Sequence, residues 1–241
     1  MRAVLAMLKA APPQCAMPVE GRPLPAGAAG RARTLEEAAL RGQAILGKGA
    51  AVDYSGMSVA DANRVNATLE RMARRYPNAG VRGVAVERPE WFAREATKAG
   101  ASEEAKWMAS QRIYAMANIS EHSISLNARW FASGKEKEFT KRLAGDFKRR
   151  FHPVKNFQGV VSHEYGHHAY YAMNSDQQRE VYVTWFKMKE MEPVRLRKEL
   201  SRYAAEKPSE FFAEAVSARD DGTAPGWINS MFGKLEKMGA F

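Results

Sequence analysis

The chain has little of what staples a fold or anchors it in a bilayer. Among its 241 residues there is one cysteine, Cys15. An internal disulfide is therefore excluded, and a reducing compartment or indifference to redox state is expected. No apolar run approaches the length needed to span a bilayer, so no membrane partner is expected. The short apolar start, Met1 to Leu8, is broken by Lys9 and lacks a small-residue cleavage site. That pattern does not read as a secretory leader, and a cytoplasmic location is expected. No internal repeat is visible. Histidine is scarce, with five in the chain.

Charge of one sign dominates. Lys and Arg number 37 against 27 Asp and Glu, giving a formal charge of +10 and a pI of about 9.7. Such a surface attracts nucleic acid or acidic proteins. The excess is spread over Arg71, Arg74 and Arg75, over 135–150 and over 187–207, with no compact basic motif. Nucleic-acid binding stays open on this reading, with steep salt sensitivity as its signature.

Three regions are expected. Residues 1–33, rich in Pro, Gly and Ala, read as a flexible lead-in. Residues 34–80 read as helical: Thr34 followed by Glu36 and Glu37 marks one helix start, and Ser58 opens a clearer helix ended by Pro77. Residues 81–241 read as one domain. Val81 to Val86, Arg112 to Ile119 and Ser123 to Leu126 carry strand character. Helices are expected over 134–147, 157–173, 176–191, 194–203, 208–219 and 225–238. Strands first and helices afterwards predict an α+β domain with a small sheet.

The chemistry concentrates in Val160-Val-Ser-His163-Glu164-Tyr-Gly-His167-His168. Residues four apart leave one face of a helix one turn apart, so His163 and His167 can bring two ring nitrogens to one zinc ion. Glu164 then lies beside the metal, placed as general base toward a zinc-activated water. This is the HExxH pattern of zinc peptidases. The flanking Val160, Val161, Ala169 and Tyr170 predict a buried helix, in which unpartnered histidines and a glutamate would be costly. His168 points about 100° away from His167 and is not expected to ligate. His152, before a proline, reads as a loop residue. The five tryptophans read as packing residues.

A catalytic zinc needs a third protein ligand and an open position. Glu206, Glu210 and Glu214 recur every four residues in a largely apolar segment. Of Glu210 and Glu214, which share a helix face, one can ligate zinc and the other can hydrogen-bond a zinc-bound histidine.

Together, His-Glu-Tyr-Gly-His and the downstream Tyr203, six residues, then Glu-Phe-Phe-Ala-Glu-Ala resemble the core of the anthrax lethal factor-like gluzincins. A similar core occurs in peptidase domains of bacteriophage head-associated proteins. The resemblance is firm over about 155–218 and fainter upstream, around Val52 to Gly56. It implies a zincin-like fold with an active-site helix and a mainly helical C-terminal part. It implies Glu210 as third zinc ligand, Glu214 behind the ligands, and Tyr203 as support for the oxyanion opposite the metal. The implied activity is endopeptidase hydrolysis of a peptide or protein substrate. In similar zincins the substrate lies extended along a sheet edge, and Ser123 to Asn127, with Ser123, Ser125 and Asn127, is the candidate edge, a plain core strand being the alternative. The resemblance also carries an alternative: a virion or phage-head structural protein that keeps the fold with little or no catalysis, virion-associated rather than cytoplasmic, with phage structural proteins as partners. Two departures stand out, Lys207 where an asparagine cap is common and Val216 for a frequent phenylalanine. Neither is expected to touch the ligands.

Overall fold

The computed structural model describes residues 31–241. Cys15 and nearly all of the expected lead-in lie outside the described residues.

Capping chemistry sets the first helices. The Thr34 side chain accepts from the Glu37 amide and starts α1, Leu35–Leu46. Ser58 does the same for Asp61 and starts α2, Val59–Arg75. Ala62, Val65, Leu69 and Met72 make the buried stripe of α2, the three- and four-residue spacing of an amphipathic helix. Between the two helices lies a strand the sequence reading did not contain, β1, Ala51–Asp53. Pro77 opens a 3-10 turn, Pro77–Ala79, and Gly80 leaves it in the left-handed region with φ 68°, a conformation that favours glycine.

After β2, Gly83–Glu87, come two helices also missing from that reading, α3, Pro89–Lys98, and α4, Glu103–Arg112. The hairpin of β3, Ala115–Asn118, and β4, Ser123–Asn127, follows. The rest is helical: α5, Ala128–Phe131; α6, Glu136–Lys148; α7, Phe157–Tyr171; α8, Ser175–Met191; α9, Pro193–Glu199; a 3-10 turn at Tyr203–Ala205; α10, Pro208–Asp220; and α11, Gly226–Lys237. The class is α+β, mostly helical with a small mixed sheet.

The strand order is β1-β2-β4-β3. β1, β2 and β4 run parallel, with Val52 beside Val84 and Val84 beside Ile124. β3 runs antiparallel to β4, with Ala117 beside Ile124. β1 thus joins residues before position 80 to the sheet, and a continuous apolar core runs from Ala38 through Ile124 and Val161 to Phe232. One expectation is corrected. β4 is hydrogen-bonded on both sides and is an interior strand, so its backbone cannot accept an added peptide. β3 is the edge beside it, because the chain lays down the edge strand before the interior one.

α7 packs against β3 and α2, and most extensively against α10. Asn156 caps it by accepting from the Gly159 amide at 2.8 Å. The α7–α10 approach depends on Gly166: a Cβ there would stand 2.8 Å from the Ala213 Cα and 3.1 Å from the Val216 Cβ, closer than packed atoms tolerate. Ser217 on α10 donates to the Gly159 carbonyl on α7 at 2.7 Å. Asp220 binds the Arg71 guanidinium at 3.0 and 2.9 Å and accepts from Ser162 at 2.7 Å. One carboxylate therefore ties α2, α7 and the end of α10 together. No helix among the described residues is long and apolar enough to cross a membrane.

Candidate metal centre

α7 and α10 bring the predicted ligands to one point. His163 Nε2 lies 3.2 Å from His167 Nε2. Glu210 Oε2 lies 3.3 Å from each of those nitrogens. His163 and Glu210 are buried, and the His167 side chain is 12% exposed. Glu210 Oε2 is enclosed yet has no hydrogen-bond partner among the described residues. A buried carboxylate oxygen left this way is costly. The three residues are placed to hold a metal ion, which would satisfy that oxygen and both nitrogens at once.

The electrostatics point the same way. Burial alone would push His163 toward its neutral form, but Glu210, Glu214 and Glu164 around it hold its pKa well above the usual value. Burial would raise the Glu210 carboxyl, but the His167 and His163 rings beside it hold it well below the usual range. A proton on His163 supplies positive charge to the carboxylates around it, and a cation can replace it.

Glu214 lies behind the ligands, fully buried, with Oε1 3.0 Å from His163 Nδ1. The same oxygen is 2.9 Å from His152 Nδ1. Burial would raise Glu214, while His152 and His163 outweigh it and keep the carboxyl low. Glu214 is thus positioned to orient His163 from its far nitrogen.

Tyr203 stacks on the His163 ring, with centroids 5.9 Å apart and planes at 26°. Phe151 also stacks on Tyr203, with centroids 5.4 Å apart. Burial, and then the charges of Glu210, Glu164 and Glu214, raise the Tyr203 phenol well above its usual value. It stays protonated and remains a hydrogen-bond donor. Glu164, also buried, lines the same cleft as the ligands and Tyr203. That cleft has a volume of about 1370 Å³ and reaches along β3, touching Ala115, Met116 and Ala117.

Ser123, Ser125 and Asn127 do not join this site. Ser125 accepts from Asn118 at 3.0 Å. Asn127 donates to the carbonyls of Ser110 and Ile113 at 3.0 and 2.8 Å and holds the end of α4 to the sheet. His168 turns away from the ligands, and its Nε2 donates to the Ser123 carbonyl at 3.1 Å. Burial lowers its pKa to about 4, so it is a neutral bolt between helix and sheet. Of the tryptophans, Trp130 and Trp185 are buried, whereas Trp107 is 59% exposed.

Two participants were missed. His152, read as a loop residue, packs edge-on against His163 and Tyr203 while contacting Glu214. Its only signal was its scarcity as a histidine. Lys207 was expected to touch no ligand. It does sit at the α10 cap position without a capping bond, but its Nζ reaches Glu210 Oε1 at 3.3 Å. A long cationic side chain reaches into the first turn, where Glu210 is also placed.

Compared with protein-family models, curated proteins and solved structures, the chain finds no match in any of the three.

Proposed function

We propose that this chain is a zinc-dependent endopeptidase of the gluzincin type, with a zincin-like arrangement of sheet edge and active-site helix. The observation that carries the reading is the ligand triangle. Three atoms bound at 2.0–2.1 Å in a tetrahedron stand about 3.3–3.4 Å apart. The edges here are 3.2, 3.3 and 3.3 Å. Two imidazoles and one carboxylate are a donor set suited to zinc, and three protein ligands leave a position open. His163, His167 and Glu210 would hold the ion.

A zinc ion there would acidify a water and polarise a peptide carbonyl. The remaining work belongs to the chain's own groups. Glu164, next to the first ligand and facing the cleft, takes the proton from the attacking water and passes it to the leaving amine. The Tyr203 hydroxyl, kept protonated by burial and by the surrounding carboxylates, donates to the oxyanion as charge develops. Glu214 and His152 hold His163 in its ligating orientation. Lys207 fixes the second oxygen of Glu210. The free edge of β3 offers backbone groups to an extended substrate, with Ala115 to Ala117 lining the cleft.

The test pairs the wild type with Glu164→Gln on a broad peptide library read by mass spectrometry. The wild type should cut and the variant should retain its metal and lose cleavage by about 10²–10⁴-fold. Identical behaviour of the two would remove the enzymatic reading and leave a metal-binding structural protein.

A further inference from the structure

α8 is apolar on two opposite sides. Val181, Trp185 and Met188, with Gln177, face the protein body. On the other side Tyr182, Val183 and Phe186 are 47%, 53% and 50% exposed. Met191 and Val194, just beyond, are more exposed still. At helical spacing, Arg179, Tyr182, Val183, Phe186, Lys187 and Glu190 form one stripe directed away from the core. A surface helix usually turns charged and polar residues outward, and a contiguous apolar patch rimmed by polar groups marks an interaction site.

The ends of the stripe say what fits it. Glu180 and Glu192 nearby are already paired, with Lys234 and Arg195. Arg179 and Glu190, both exposed, have no charged partner among the described residues. The stripe is also symmetric about the midpoint between Val183 and Phe186. When two such helices cross antiparallel at that midpoint, Val183 of each meets Phe186 of the other. Arg179 meets Glu190, opposite in charge, at both ends. This is the self-complementarity that a twofold interface requires.

We propose that the outer face of α8 is the seat of a second copy of this chain, docked as an antiparallel helix pair on a twofold axis. The inference is independent of the peptidase reading. Because Glu190 also lines the cleft, the pairing brings Arg179 of the second copy to the cleft rim.

Sedimentation equilibrium of the full chain across a concentration series tests it. The wild type should be a dimer, and Phe186→Asp should be a monomer at the same concentrations. Arg179→Glu and Glu190→Arg should each weaken the dimer by about tenfold, since each places like charges together. The two combined should recover to within about threefold of the wild type, because the swapped charges again pair. All three positions are exposed, so circular dichroism should be unchanged throughout. A wild type that is monomeric at every concentration overturns the proposal. A dimer untouched by Phe186→Asp does so too, as does a double swap no tighter than the weaker single one.

Discussion

Two helix pairs flank the cleft, and they are built in opposite ways. α7 and α10 are locked: ten of the fifteen residues of α7 and ten of the thirteen of α10 are buried, so almost every position is a contact. Their approach is set by a glycine, a serine-to-carbonyl bond and an aspartate that bridges three helices. α3 and α4 instead share a small cluster of their own, Phe92 with Ala96, Ala101, Ala105 and Ala109. That cluster is separate from the main core, with the Asn127 bonds at the end of α4 tying it to the sheet. The difference teaches where geometry matters. The three ligand atoms come from both members of the locked pair, so a small change in the α7–α10 spacing moves Glu210 relative to both histidines. The α3–α4 pair shapes only the wall that ends in Met108 and Arg112.

That contrast can be broken or sharpened by substitution. The largest expected effect is at Glu214, which sits inside the locked pair and contacts the far side of His163. Glu214→Gln should lower zinc affinity by about 10–100-fold, measured by competition with a chromogenic chelator, with little change in fold. Next is Gly166→Ala. The added methyl has no room against Ala213, so α10 is pushed outward at a cost of about 1–3 kcal/mol. Thermal unfolding should show this loss in the metal-free protein, and zinc affinity should fall with it because the ligand triangle opens.

Asp220→Asn should cost about 1–2 kcal/mol at neutral pH by denaturant titration. Burial raises the Asp220 carboxyl, but Arg71 and Ser162 outweigh it and hold its pKa below the usual value. Its stabilising contribution is therefore complete above the ordinary carboxylate range and is lost as pH falls through the lowered value. The gap between variant and wild type should narrow in acid; a gap that widened there would contradict the bridging role. The smallest expected effect on the site is from Phe92→Ala. It should cost about 3–5 kcal/mol locally, visible as faster hydrogen exchange in α3 and α4, while zinc affinity stays within about twofold of wild type. A large loss of zinc in that variant would show that the two pairs are not mechanically separate.

The same contrast explains what could be read from the sequence. The convergence of His163 and His167 was legible because a four-residue spacing on a helix is itself a geometric statement. Choosing Glu210 over Glu214 needed the resemblance, since both share one face. The long helices announced themselves through caps such as Thr34 and Ser58 and through regular apolar spacing. α3 and α4 did not, because their interior is mostly alanine and little apolar period is visible against the surrounding charges. β1 has three residues, too few for an alternation to register. Edge and core readings of Ser123 to Asn127 could not be separated because strand order in space differs from strand order along the chain: β4 is inserted between β2 and β3, and no local pattern records that. The contacts of His152 and Lys207 with the ligand cluster could not be read for a related reason. One arrives from a loop sixty-two positions before its partner Glu214, and the other acts through side-chain reach rather than position.

The central claim is that one turn of α7 and one carboxylate of α10 close on a single cation. Elemental analysis of the full chain after zinc loading and gel filtration, beside Glu210→Ala prepared the same way, tests it most directly. A single tightly held zinc in the wild type, lost from a variant that is still folded by circular dichroism, is the predicted result. Wild-type protein that emerges without zinc, or a variant that retains it equally well, would contradict the account.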